Sequence, residues 1–592
     1  MIVKQLNVTR WSYASASLGG IVWLILLFIR HPGIGSVGAI EQLLLLAVLI
    51  LSPLALLVTA TPDRTGRHPM PYLVALVVQP VAAVLVVTSF FVPTGVLAGL
   101  LVSGWLLFTG LVALFGLVRL LPRGMVRADE ACIDAGLLYL PVGAVWLLLY
   151  RFGAHPLGFV DTIVLLTAVH FHYAGFAAPI LAGFAGRKLA EIKPATQHVF
   201  RLVAMGLILG TPLTALGITF SPLLELAAAL MLITSLLVLS FLSLFVIVPH
   251  ITHRTAQSLL IISALSFVVA MLFAGAYAVG QFKEVLLVSI PGMVHAHGWL
   301  NALGSVCCGL LAWTILKPKS KLPPPGIPFS SLSSRGRVGP DFLNRISAIA
   351  DSKVSPLGLV DDLAEYRRLD FNPDDVHPAI RSFYEETARY ELLVHPDWGI
   401  GFRFLARIFK CFSSRVEQMN FPLHAESAED LIDSRLLPIH DAVDGRTNVR
   451  AWIRTYAKTG KAIYVALYAT HSLGTQTYMN IAFPLPGGNL TSILRIQSMA
   501  AGEGPSGVLL TTRHLPDCTG DEGIYFVNSL LPIRLPMNET IRVWAVVMPG
   551  VPIQPGRPGS ETATVVARHD MWLFGTRFLT LDYYIFPRKT AT

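Results

Sequence analysis

"LLTAVHFHYAGFAAP", residues 165–179, sets His170 and His172 in an apolar run with no charged neighbour. The run lies in a segment near 160–185. A spanning helix needs about 20 mostly apolar residues, and this segment qualifies. Working outward, the same criterion finds further segments near 12–30, 38–60, 71–92, 95–118, 131–150, 201–220, 222–248, 257–280 and 285–316. Only 14% of the 592 residues are charged, against about 25% in a soluble globular protein. Mean hydropathy is +0.61, and the apolar runs stop near residue 316. The expected fold class is therefore a polytopic α-helical membrane protein of about ten spans, followed by a C-terminal cytoplasmic α+β domain. Residues 1–316 read as the membrane domain, 317–345 as a Pro/Ser/basic linker and 346–592 as the second domain.

The net charge of +9 does not call for nucleic acid, because the basic residues of the membrane half fall mostly in short loops between apolar segments. There they act as topology signals. With the N-terminus inside, the inner side holds Lys4, Arg10, Arg64, Arg67, Arg119, Arg123, Arg127, Arg187, Lys188, Lys193, Arg201, Arg254, Lys317, Lys319 and Lys321. The outer side holds Arg30, Arg151 and Lys283. That asymmetry predicts a multi-pass protein of the cytoplasmic membrane with both termini in the cytoplasm. Its partner is then the lipid bilayer, with an unidentified small molecule or ion as substrate. The five cysteines form no metal-ligand spacing and no disulfide framework. No cleavable signal peptide is expected.

Ionisable groups at membrane depth are costly and mark cavities or pathways. His170 lies about ten residues into its segment, so about 15 Å deep at 1.5 Å per residue. On a regular helix His170 and His172 point about 200° apart. They cannot share one ion unless the helix is locally irregular, which Gly175 and Pro179 permit. A second pair, His295 and His297, stands in "IPGMVHAHGWLNALG". Pro291 and Gly292 precede it and read as a helix break, a feature that marks binding sites in transporters. Asn301 shares a face with His297 at four-residue spacing. His170, His172, His295, His297 and Asn301 are the candidate intramembrane polar site, and the four histidines are the candidate ligands should a transition metal or haem be present. The competing reading is a kinked helix whose histidines bond to neighbouring helices.

Other polar groups read as structural. His250 and His253 stand at a segment end beside Arg254. Asp129, Glu130 and Asp134 complement a helix N-terminus, with a proton relay as the alternative role of Asp134. Glu41 and Glu225 reach water at segment ends. Gly95 with Gly99, and Gly206 with Gly210, have the spacing of close helix packing.

"ACIDAGLLYLPVGAVW", "HFHYAGFAAPILAGF" and "HAHGWLNALG" resemble the YndJ-like family of bacterial membrane proteins over roughly residues 10–316. The resemblance implies a bacterial inner membrane and a transporter label. It supplies no catalytic residues.

The remaining sequence divides into a helical part, 346–420, and a strand-rich part, 448–592. Helices are expected near 340–367 and 377–394, the latter from Phe383, Thr387, Tyr390 and Val394 at helical spacing. "FYEETARYELLVHPDW" resembles a soluble domain of uncharacterised bacterial proteins. In "GFRFLARIFKCFSSRVEQ", residues 401–418, Phe402, Leu405 and Phe409 fall on one face, and Arg403, Arg407 and Lys410 on another. This reads as a membrane-surface helix, with a core-facing helix as the alternative. Short alternating runs from "VRAWIRTYAK" to "FLTLDYYIF" read as an antiparallel sheet that curls toward a barrel, a shape that holds a small apolar ligand. No phosphate loop, nucleophile elbow or dinucleotide fingerprint occurs. His440-Asp441 and His569-Asp570 read as ordinary polar positions.

Three functions fit these residues. A transporter or permease would line its path with the paired histidines. A membrane metal or haem enzyme would draw ligands from His170 or His172 and from His295 or His297. A membrane-anchored scaffold would bind lipid through its β domain. The first is the expectation, because the reading includes a broken helix and no carboxylate near the histidines.

Overall fold

Uncharged apolar runs in the first half leave the backbone no partner but itself, and in lipid that dictates helices. The computed structural model describes residues 7–28, 37–322, 325–351, 355–423, 432–499, 507–514, 520–548, 550–552 and 559–588. The chain divides into two units, Met1–Pro324 and Pro325–Thr592.

The first unit contains, among the described residues, ten helices long and apolar enough to cross a membrane. In order they are spans 1 (Val8–Phe28), 2 (Ala39–Thr59), 3 (Met70–Ser89), 4 (Val96–Arg123), 5 (Ala128–Phe152), 6 (Asp161–Ile192), 7 (Pro194–Phe220), 8 (Pro222–His250), 9 (Arg254–Phe282) and 10 (Ile290–Leu316). Span 2 is the most enclosed, packed by spans 1, 3, 6 and 10. Gly206 and Gly210 of span 7 meet Ser235 and Leu232 of span 8, as their spacing anticipates. Gly99 meets Phe152, whereas Gly95, the residue before span 4, has open space where a side chain would be and donates its N–H to Arg151 O at 2.9 Å.

Two features of the spans differ from the sequence reading. Span 4 runs on to Arg123, span 5 begins at Ala128, and span 6 runs on to Ile192. Arg119, Arg123 and Arg187 thus sit within helices rather than in loops, facing Glu130 and Asp134 near the start of span 5. The helices continue because these charges neutralise one another. Second, Pro291 and Gly292 do not break span 10; they begin it. Ser289 Oγ accepts the Gly292 N–H as a cap at 3.3 Å, and proline suits a first helical turn because its missing N–H would be unpaired there anyway.

The irregularity lies deeper. Span 10 is π-helical over Val294–Gly298 and Leu300–Cys307, span 6 over Phe171–Ala177, and span 2 over Ala47–Leu51. These widened stretches of spans 2, 6 and 10 pack on one another. π turns are rare and recur at functional sites. Neighbouring side chains satisfy several carbonyls there. Thr211 Oγ1 donates to Ala174 O at 3.2 Å, Ser263 Oγ to Ser305 O at 2.6 Å and Gln79 Nε2 to Val48 O at 3.2 Å.

The second unit is a twelve-stranded antiparallel sheet. Its strands are β1 (Tyr390–Trp398), β2 (Ile432–Pro438), β3 (Arg450–Tyr456), β4 (Ala462–Leu473), β5 (Gln476–Leu485), β6 (Gly488–Ser498), β7 (Val508–Thr511), β8 (Gly523–Val527), β9 (Pro532–Arg534), β10 (Met537–Ala545), β11 (Val565–Leu573) and β12 (Thr576–Pro587). The order is β1-β12-β11-β10-β7-β6-β5-β4-β3-β2, with β8 also on β6 and β9 on β8. End strands β1 and β2 approach each other, so the sheet curls into a nearly closed barrel. Alternation sorts each strand. Trp452 of β3, Tyr464 and Tyr468 of β4 and Met479 and Ile481 of β5 form the inner core. Ala451, Ile453, Val465 and Leu467 form an outer one.

Residues 325–345, expected within a linker, belong to this barrel unit: Leu332, Val338, Phe342 and Leu343 are buried in the outer core. The expected helix near 377–394 is also shorter. It covers Pro378–Glu385, and Tyr390 and Val394 fall in β1, paired along its length with β12. In place of a helix near 340–367 there is one turn at Phe342–Arg345 and a short 3-10 turn at Leu363–Tyr366. Pairing with a strand nearly two hundred residues away overrides local helical spacing.

Candidate functional site

The four histidines of the opening motifs take four different roles. His172 is fully buried. Its Nδ1 bonds to Ala168 O at 2.8 Å, so that nitrogen carries the proton. Its Nε2 then accepts from Trp105 Nε1 of span 4 at 3.1 Å. The rings lie stacked, with centroids 6.1 Å apart. Both nitrogens are spent, which makes His172 a packing residue.

His170 points elsewhere. Its Nδ1 bonds to Leu166 O at 2.8 Å, leaving Nε2 as a free acceptor on an exposed ring. His170 of span 6 and His297 of span 10 are close enough for a charge on one to act on the other. His297 Nδ1 bonds to Ala270 O of span 9 at 2.9 Å, so its Nε2 is also an acceptor. Asn301 must therefore turn its amide NH2 to that nitrogen, at 3.2 Å. Its carbonyl oxygen is left buried without a partner. His295 is exposed and no hydrogen bond holds its ring. The structure thus brings His170, His297 and Asn301 together and separates His172 from them.

What this site offers is acceptors: His170 Nε2 and Asn301 Oδ1. Such a set suits a proton, a cation or a hydrogen-bond donor. It does not suit a metal centre. The nitrogens of His172 and His297 are occupied, and among the described residues no three His, Cys, Asp or Glu side chains are placed to hold an ion.

A second polar constellation joins spans 4, 5 and 6. Arg119 Nε bonds to Asp134 at 2.6 Å, Arg123 Nη1 to Glu130 at 2.7 Å and Arg187 Nε to Glu130 at 2.8 Å. All five are buried. Arg119 also donates to Thr59 O, at 3.0 Å, and to Thr61. Arg187 reaches Pro318 O at 3.3 Å. The cluster ties the ends of spans 2, 4, 5 and 6 to the chain leaving span 10. A signal was present: Arg119 with Arg123, and Glu130 with Asp134, share four-residue spacing on adjoining helices.

Other polar groups have protein partners. His253 Nδ1 accepts the Ala256 N–H and caps span 9. Glu41 accepts from Tyr150 Oη at 3.2 Å. His569 bonds to Glu539 at 2.8 Å on one side of β11, while its neighbour Asp570 bonds to Thr580 at 2.7 Å and Arg542 at 3.1 Å.

The helix Arg403–Val416 buries Ala406, Ser413 and Val416. Phe404, Leu405, Ile408, Phe409 and Phe412 are exposed, as are Arg403 and Arg407. Phe402 is half-buried against Phe578. Lys410 turns inward, its ammonium bonded to Asn420 O and Phe421 O at 3.2 and 2.8 Å.

Sequence comparison agrees with this architecture. The model of the YndJ-like protein family matches residues 42–305. The "Uncharacterized membrane protein YndJ" of Bacillus subtilis (strain 168) is 30% identical over 552 residues, covering 93% of this chain and 94% of its own length. The chain belongs to the YndJ-like family. The family model stops within span 10, but the Bacillus relative continues through both units, so the barrel is shared with it. No solved structure matches the chain.

Proposed function

We propose that the membrane unit is a transporter or permease in which His170 carries protons and His297, fixed by Ala270 O and Asn301, orients the site. The observation that carries this reading is the pair of acceptors, His170 Nε2 and Asn301 Oδ1, beside His297 where spans 6 and 10 are both π-helical. Histidine suits the task because its ordinary pKa is near neutrality. The depths agree: His170 lies nine residues into span 6 and His297 seven into span 10. At 1.5 Å per residue both stand roughly 10–14 Å from the ends where those spans begin.

The basic residues support an inner-membrane placement with cytoplasmic termini. Arg119, Arg123, Arg127 and Arg187 are paired and drop out of the count. The imbalance of the rest persists. The helix Arg403–Val416 is then a membrane-surface helix, its exposed apolar face in the interface and Arg403 and Arg407 against anionic headgroups.

The test is proton flux into proteoliposomes loaded with a pH-sensitive dye, driven by a potassium diffusion potential. Flux at least tenfold lower in His170→Ala and His297→Ala, with His172→Asn impaired only in yield, is the expected result. Flux unchanged in both alanine variants rules the mechanism out.

A further inference from the structure

The barrel interior holds a partly open cavity of about 130 Å³, lined almost wholly by apolar and aromatic side chains. One lining residue does not fit that description. Arg454 of β3 is 2% exposed and points inward beside Trp452. Its Nη1 donates to Tyr464 Oη, across the strand pair, at 3.0 Å. Its Nε and Nη2 make no hydrogen bond of good geometry, although the Tyr583 hydroxyl stands close to the guanidinium, and Trp452 Nε1, also buried on the cavity wall, has no partner. No carboxylate among the described residues pairs with Arg454. Glu539, which lines the same cavity, is bonded to His569. Burial pushes the Tyr464 and Tyr583 phenols up, so neither supplies a phenolate counter-charge.

A buried cation with donors unmade is a costly arrangement that usually has a partner. The geometry of the vacant donors identifies it. Nε and Nη2 form one edge of the guanidinium, the edge that grips a carboxylate with two parallel bonds. This chain uses that edge in the same way at Arg446 on Asp444, Arg568 on Asp582 and Arg337 on Glu417. Arg454 instead lines an apolar cavity.

We propose that the barrel binds a single-chain anionic amphiphile, its acidic head held by Arg454 and Trp452, the part of its chain next to the head in the cavity and the rest leaving through the open side. The site is separate from the intramembrane histidines and stands whether or not the spans carry protons. Around the head, Trp452, Tyr464 and Tyr583 crowd the guanidinium at 5.1–5.6 Å from its carbon, which fixes its plane. Around the tail, Met479, Ile481, Leu494 and Leu510 supply smooth apolar wall.

The experiment uses the purified full-length protein in detergent and a fluorescent polyene fatty acid, read by emission on binding. Saturable binding is expected, and the methyl ester of the same acid should bind at least tenfold more weakly. Arg454→Met should lose a similar factor for the acid and little for the ester. Trp452→Phe, which removes only the indole N–H among polar groups, is the gentler second variant should Arg454→Met fail to fold. It should weaken the acid several-fold. Competition with a saturated fatty acid and with a lysophosphatidic acid distinguishes a carboxylate from a phosphate head, and displacement by either supports the site. Equal affinity for acid and ester, or no displacement by either competitor, would overturn it.

Discussion

Trp105 and His172 share a hydrogen bond of 3.1 Å between spans 4 and 6, and this bond settles which of two neighbouring histidines is free to work. Ala168 O fixes the tautomer of His172, and Trp105 consumes what is left. Replacing His172 by Leu orphans the buried indole N–H, a penalty of about 1–3 kcal/mol. Thermal unfolding in detergent should show that loss in His172→Leu and little change in His170→Leu. Gly143→Ala should resemble His172→Leu, because its new methyl would press on the His172 ring. Equal stability of both histidine variants would contradict the division of roles.

The arginine cluster makes a sharper stability prediction. Glu130 is held by Arg119, Arg123 and Arg187 at once. Glu130→Gln would leave three buried guanidiniums facing one carboxylate, Asp134. Breaking a buried pair this way costs about 3–5 kcal/mol, so the variant should accumulate poorly. Adding Arg187→Gln should recover part of the loss, because it removes an unpaired charge. Purified yield and unfolding temperature of the single and double variants are the measurements. A double variant worse than either single would show that the cluster is not held by charge balance.

These two sites also show how much was legible. The ten spans, most strands of the barrel and the histidine motifs follow from hydropathy, alternation and residue type. The paired roles of His170 and His172 follow from their two-residue spacing, which survives the π turn. The cluster was hidden because Arg119, Arg123 and Arg187 look like loop charges until their carboxylates are known to face them. β1 was hidden because its partner is β12, and no local pattern in 390–398 announces it. Arg454 was unremarkable in "VRAWIRTYAK", since only the closed barrel turns that position into a dry interior.

The surface helix carries its own reporter. Among the described cysteines, Cys411 is exposed on the helix Arg403–Val416, whereas Cys132 is buried and Cys307 and Cys308 are half-buried in the membrane unit, and Cys518 is replaced by Ser for the labelling. An environment-sensitive dye on Cys411 should shift to shorter wavelength in vesicles with anionic lipid, and lipid-borne quenchers should reach it. Each basic residue near such a surface contributes about 1 kcal/mol. Arg403→Glu with Arg407→Glu should therefore abolish most of the shift. Emission identical to that in water would place the helix away from lipid.

The barrel's acid stability should depend in part on Asp361. Arg450 grips this carboxylate with Nη1 and Nη2 at 2.9 and 2.7 Å, and Asn448 adds a bond at 2.6 Å. The Arg450 hydrogen bonds hold the Asp361 carboxyl below its ordinary 3.8. A carboxylate lowered on folding adds stability above its unfolded pKa and loses it as pH falls through the folded one. The Asp361 side chain is 55% exposed, so solvent screens the pair, and about 0.5–1 kcal/mol is the expected scale. Asp361→Asn should thus lower barrel stability at pH 7 by that amount, read by tryptophan fluorescence during urea unfolding of the full chain. The gap between variant and parent should close as pH falls below 3.8. A gap that stays constant down to acid pH would assign the effect to packing rather than to the charge.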